Sequence, residues 1–273
     1  MPQTVRADAK HASVVPLLEK VRTVYHLRTG PVKPLPFSHR MWYTFPNKTP
    51  GRGPHALERR EFTAAFLIIE GILYALFLAM DLTVWRDQTV PIKYFGILLC
   101  LGFALLSAAR GGDKLVPIAL ALTAGADWFL LVRNDHYAVG IALFLCVQTV
   151  YFLRLRRAGA PAAYPLRAGL ALAAGLGLYA LGLASPVNLL AGLYFSQLLS
   201  NTILAWTLRG RPWRRFAAGL TLFVGCDLCV GLFNARFPNL MLYLAVAVGM
   251  WLFYLPSQVL IALSALPEKE ANP

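Results

Sequence analysis

Leu115-Val-Pro-Ile-Ala-Leu-Ala-Leu-Thr-Ala-Gly-Ala-Asp127-Trp-Phe-Leu-Leu-Val132 is the stretch on which the fold turns. It does not alternate apolar and polar residues, so it is not a half-buried strand. It is also far longer than a strand buried on both faces. As a helix rising about 1.5 Å per residue it covers roughly 27 Å, close to the thickness of a bilayer's hydrocarbon core. Charged and turn-forming residues bound it: Arg110-Gly-Gly-Asp113-Lys114 before, Arg133-Asn-Asp-His136 after. One ionisable group, Asp127, stays in its interior. The segment reads as a transmembrane helix with an acid at mid-depth.

The same reading repeats on either side. Apolar runs occupy 62–80, 92–109, 137–154, 166–184, 187–208, 215–233 and 240–264, which with 115–132 makes eight predicted spans. The tightest division is Ser185-Pro-Val-Asn188, a turn between the fifth and sixth. The fold class is therefore all-α: a polytopic membrane helix bundle with eight transmembrane helices. Composition agrees, since 58% of the 273 residues are hydrophobic and only 14% charged, against about 25% charged in soluble domains. Mean hydropathy is +0.56. The net charge of +13 does not mark a nucleic-acid binder, because the basic residues sit in the tail and the breaks between apolar runs. No nucleic-acid partner is expected; the bilayer is.

Residues 1–61 read as a basic, Pro-rich extension, with a short helix around Ser13–His26 and a basic surface suited to anionic lipid or to solvent. Residues 62–265 form the membrane domain and 266–273 a short tail. All of the 26 Lys and Arg except Arg86, Lys93, Arg133 and Arg236 fall on one side of an eight-span topology. The positive-inside rule makes that side cytoplasmic, and with it both termini. If the source is bacterial, the membrane is the cell inner membrane. No signal peptide is visible.

An ionisable side chain in the bilayer core costs at least ~2.5–3.5 kcal/mol, so each is a functional candidate. Three acids fall inside spans: Glu70, Asp127 and Asp227. The last two share a setting, Gly125-Ala-Asp127 and Gly225-Cys-Asp227, each about 12 residues, or ~18 Å, beyond the cytoplasmic start of its helix. Two carboxylates at one depth in parallel helices can face a common chamber. Their spacing hints at a parallel repeat of four plus four helices. The bland alternative is that each acid bonds a neighbouring helix. Further polar side chains lie in the spans: Gln148 and Tyr151 in the fourth, Tyr194, Ser196, Gln197 and Asn201 in the sixth, Tyr254, Ser257 and Gln258 in the eighth. They suggest a polar pocket open toward the cytoplasmic half. Lys93, opening the second span, is expected to snorkel to the interface. Asp81, Asp87, Asp113 and Asp135 fall at helix ends or in loops.

Four of five His residues are in the tail and the fifth, His136, is in an outer loop. This argues against an intramembrane zinc site, and no metal or cofactor is expected. Cys100, Cys146, Cys226 and Cys229 read as small apolar residues. No Gly-x-Ser-x-Gly, His-Glu-x-x-His or phosphate-binding glycine loop is present. Three function classes remain open on these residues: an enzyme using the acid pair, a proton- or cation-coupled carrier of small molecules or lipids, and a non-catalytic lipid-binding membrane protein.

Several motifs narrow the choice. Leu122-Thr-Ala-Gly-Ala-Asp127-Trp-Phe-Leu-Leu, Gly140-Ile-Ala-Leu-Phe-Leu, Gln148-x-x-Tyr151, Leu222-Phe-Val-Gly-Cys-Asp227 and Tyr254-Leu-Pro-Ser-Gln258-Val-Leu-Ile resemble the YhhN-like (lysoplasmalogenase) membrane family over residues 62–265. Lys93 corresponds there to a basic residue opening the second helix. Ala126, Cys226 and Gln148 depart from the family's Gly, Ser and His. The resemblance implies a hydrolase that cleaves the vinyl ether bond of a lysophospholipid, releasing a fatty aldehyde and a glycerophospho-base. Asp127 and Asp227 would then be catalytic, as acid and base. Gln148, Tyr151, Gln197, Asn201, Tyr254, Gln258, Glu70 and Lys93 would be substrate-binding, and the arginines of the cytoplasmic rim would lie near the headgroup.

Overall fold

A computed structural model describes residues 54–83, 88–234 and 240–267. Most of the predicted extension, with its Ser13–His26 helix, and the last six residues lie outside the described residues. Eight α-helices fill the described part: α1 (Pro54–Asp81), α2 (Val90–Ala109), α3 (Leu115–Asp127), α4 (Tyr137–Arg157), α5 (Tyr164–Ala180), α6 (Pro186–Ala205), α7 (Arg211–Asn234) and α8 (Leu240–Leu263). Each predicted span corresponds to one helix. Seven of the eight contain stretches long and apolar enough to cross a membrane. The chain is a multi-pass integral membrane protein.

The remaining helix, α5, has 17 residues and rises roughly 26 Å. It was expected to reach residue 184 and stops at Ala180. Gly182 takes the left-handed conformation (φ +69°), and the Leu183 amide donates back to the Leu178 carbonyl at 2.8 Å. This is the Schellman arrangement that ends a helix. The turn after it closes on two polar side chains. Ser185 Oγ accepts from the Asn188 amide at 3.2 Å, and Asn188 Nδ2 donates to the Leu183 carbonyl at 2.8 Å.

Short connections make sequential helices antiparallel. The α2–α3, α4–α5 and α6–α7 turns and the end of α8 therefore share one end of the bundle, which carries most of the described Lys and Arg and is here termed the basic end. The packing pairs repeat after four helices: α1–α2 and α5–α6, α2–α3 and α6–α7, α3–α4 and α7–α8, then α2–α8 and α6–α4. The expected four-plus-four relation holds for these pairs but not for α1–α8 and α3–α8, whose equivalents α4–α5 and α4–α7 do not pack to the same extent. Large apolar side chains such as Ile68, Ile72, Leu105 and Leu172 remain exposed on the outside, as a lipid-facing surface requires.

Candidate active site

α3 ends its regular course at Asp127. Trp128–Val132 widen into a π turn, closed by the Arg133 amide donating to the Trp128 carbonyl at 2.8 Å. Such single-turn π segments are frequent at functional sites. Asp127 is 5% exposed, and its Oδ2 accepts a 2.6 Å hydrogen bond from the Tyr254 hydroxyl on α8. Asp227, half-buried on α7, accepts in the same way from the Tyr194 hydroxyl on α6, at 2.6 Å through Oδ2. Tyr194, Phe144, Phe223 and Tyr254 form an unbroken run of rings with centroids 5.5–5.6 Å apart. One aromatic run thus links the two Tyr–Asp pairs.

α8 supplies Tyr254 from a turn interrupted by a proline. Pro256 lies inside the helix and lacks the N–H that would bond the Leu252 carbonyl. Tyr74 of α1 fills the gap, its hydroxyl donating to Leu252 O at 3.0 Å. One turn on, Ser257 and Gln258 are fully buried, yet Ser257 Oγ and both polar atoms of the Gln258 amide have no partner. The same is true of Thr123 Oγ1, one turn below Asp127, and of Gln148 Nε2 and Tyr151 Oη on α4. Buried polar groups are ordinarily satisfied. Here several unsatisfied ones lie on the basic-end side of the acid pair, on the helices that hold it.

The remaining expected residues divide. Asn201 donates to the Gln148 side-chain oxygen at 3.0 Å, so α4 and α6 meet through that pair. Gln197 and Asn201 accept from Arg167 at 2.8 and 2.7 Å. Glu70 stands apart from the acid pair. It is buried between α1, α2 and α8, taking the Cys100 thiol at 3.3 Å on Oε1, while Oε2 has no partner and lies against Gly96.

Lys93 corrects an expectation. It does not snorkel: its ammonium pairs with Asp81 at 2.7 Å, both side chains at most 7% exposed, and lies 4.4 Å from the Trp251 ring centre. Trp251 in turn packs on Tyr254. Asp81, set aside as a helix-end acid, is therefore the counter-ion of a buried cation.

Arg154, expected at the cytoplasmic rim, and Arg167 are also buried. Arg154 reaches Asp113 at 2.6 Å and the hydroxyl and carbonyl of Ser264 at 2.9 and 2.8 Å, stitching α4 to the α2–α3 turn and the end of α8. Arg167, 8% exposed, points between α5, α4 and α6. Tyr94, unremarked in sequence, donates to the Ala124 carbonyl at 3.3 Å. It stands 100 residues before Tyr194, the interval that separates Asp127 from Asp227; that interval was the signal that would have found it. On the described loop between α3 and α4, Asp135 is held well down, to about 2, chiefly by hydrogen bonds from Arg133 and His136.

Fold and site define a polytopic helical membrane protein with an aspartate held by a tyrosine on each of α3 and α7. The model of the YhhN family matches residues 88–265, and the chain belongs to that family. The match covers α2 to α8 and leaves α1, with Glu70 and Tyr74, outside it. No curated protein and no solved structure matches the chain.

Proposed function

We propose that the protein is a membrane-embedded ether hydrolase that cleaves the vinyl ether bond of a lysophospholipid, with Asp127 and Asp227 as its acid and base. The observation that carries this reading is the two Tyr–Asp hydrogen bonds joined by one aromatic run, in a chain of the YhhN family. Vinyl ether hydrolysis needs a proton delivered to the β-carbon of the double bond, then water at the oxocarbenium carbon. The resulting hemiacetal collapses to a fatty aldehyde and the glycerol hydroxyl. A carboxyl group desolvated among apolar helices favours its neutral form and serves as a general acid. A second carboxylate beside it stabilises the cation and takes a proton from the attacking water. Each Asp gives one oxygen to its tyrosine and keeps the other for this work. The two would titrate as one coupled unit.

The unpartnered Thr123, Gln258, Gln148 and Tyr151 supply sites for water and for the polar part of the lipid, on the basic-end side of the acids. That end is the cytoplasmic one by the positive-inside rule. The test is a panel of purified lipids: 1-alkenyl, 1-alkyl and 1-acyl lysophospholipids with one headgroup, with fatty aldehyde read by mass spectrometry. Aldehyde from the alkenyl lipid alone is the expected result; none from any of the three would remove the reading.

The repeated packing of the two halves favours a second reading, a proton- or cation-coupled carrier with the acids as its mid-depth site. It predicts lipid or solute movement into vesicles with no aldehyde formed.

A further inference from the structure

Arg154 and Arg167 enter the bundle near its basic end, but their charges are met differently. Arg154 has a carboxylate, Asp113, at 2.6 Å. Among the described residues, no carboxylate lies within ion-pair distance of Arg167. Its partners are neutral: Nε donates to the Ala162 carbonyl at 3.0 Å, Nη1 to Gln197 Oε1 at 2.8 Å and Nη2 to Asn201 Oδ1 at 2.7 Å, with the Phe152 ring 4.5 Å from the guanidinium carbon. A guanidinium carries five N–H groups, so one on each terminal nitrogen stays unused. Beside it, Asn201 holds the Gln148 amide by its oxygen. Gln148 Nε2, a buried donor, therefore has no acceptor, and Tyr151 Oη one turn along α4 has no partner either. A buried positive charge without a counter-ion is costly. This one has unused N–H groups of its own and the spare Gln148 amide beyond Asn201, which an anion would satisfy.

Helix rise fixes how far the site lies from the acids. On α6, Tyr194 bonds Asp227, while Gln197 and Asn201 stand three and seven residues further toward the basic end, roughly 5 and 10 Å along the axis. In a single-chain glycerophospholipid, five bonds separate the ether oxygen from phosphorus, roughly 6 Å when extended at about 1.5 Å per bond. An ether oxygen placed at the acid pair sets its phosphate beside Arg167. α5, which carries Arg167, packs chiefly against α6, so the guanidinium reaches in from the edge of the bundle.

We infer that Arg167, with the Gln148 amide, forms the binding site for the phosphate of a single-chain glycerolipid, and that Gln197 and Asn201 hold the guanidinium in place for it. The choice of lipid rests on the hydrolase reading; the anion site rests on the geometry alone. The experiment measures binding to the full-length protein in nanodiscs of 1-O-hexadecylglycerophosphocholine, 1-O-hexadecylglycerol and glycerophosphocholine. None has a vinyl ether, so turnover does not enter. Wild-type protein is expected to bind the phosphate-bearing lipid at least tenfold more tightly than the alkylglycerol, and the chainless glycerophosphocholine more weakly than either. Arg167→Gln is expected to erase the difference between the two lipids while leaving alkylglycerol affinity unchanged. Equal wild-type affinity for the two lipids overturns the site even if the variant does not fold. So does glycerophosphocholine binding as tightly as the lipid, or a variant that keeps the wild-type preference. Protein that shows the preference yet releases no aldehyde from an alkenyl lipid would retain the phosphate site and lose the hydrolase.

Discussion

Each carboxyl of the pair is held by one phenol, and that bond sets both its orientation and its hydrogen-bonding capacity. Removing one hydroxyl leaves the acid in place but unaimed. Tyr254→Phe and Tyr194→Phe are each expected to lower kcat about 10–100-fold, the equivalent of a lost hydrogen bond to an acidic group worth roughly 1.5–3 kcal/mol. Assays of aldehyde release at saturating lipid read this directly, and unchanged turnover would detach the tyrosines from the chemistry. The buried Lys93–Asp81 pair is structural by the same standard. Lys93→Met strands Asp81 and is expected to cost about 3–5 kcal/mol, seen as a lower unfolding midpoint, while adding Asp81→Leu restores most of the loss. Sequence reading found Asp127 and Asp227 because an acid amid apolar residues has no cheap explanation. It misjudged Lys93 because a lysine three residues into a helix looks the same whether it reaches headgroups or folds inward against Trp251. The deciding partner, Asp81, lies on another helix.

Among the elements, α8 is the most demanding. Pro256 breaks its ladder between Tyr254 and Gln258, and α1 repairs the break through Tyr74. Tyr74→Phe is expected to leave the Leu252 carbonyl unpaired at a cost of about 1–3 kcal/mol. Thermal unfolding in detergent checks that figure, and a stability equal to wild type would show that α1 does not brace α8 at Pro256. Gly219 plays the complementary part on α7, where a Cβ would stand 2.9 Å from Ile261 and 3.0 Å from the Ser257 carbonyl, so the two helices meet there without a side chain between them. The helices themselves were legible from run length and the charged breaks between runs. The early end of α5 was not, because Leu181-Gly-Leu-Ala184 is as apolar as the helix before it and only the left-handed Gly182 reveals the stop. Nor was the burial of Arg154 and Arg167. Their partners Ser264 and Asn201 lie far along the chain, and distance in sequence hides which way a helix-end arginine turns.

At the scale of the molecule, α3 and α7, third in each set of four helices, carry one acid each, the arrangement the 100-residue interval foreshadows. With the basic end in the cytoplasm, Arg157→Cys should resist a membrane-impermeant maleimide in right-side-out vesicles, while Asp135→Cys, at the opposite end, should react. The reverse pattern would invert the topology and move the unpartnered polar groups to the outer half. The measurement closest to the central claim is aldehyde release from a 1-alkenyl lysophospholipid by Asp127→Asn and by Asp227→Asn, each purified in amounts and with thermal stability matching wild type. Loss of release in both variants is the predicted result. Wild-type release from either variant would contradict the account, since the reaction would then proceed without the carboxylate pair on which it is built.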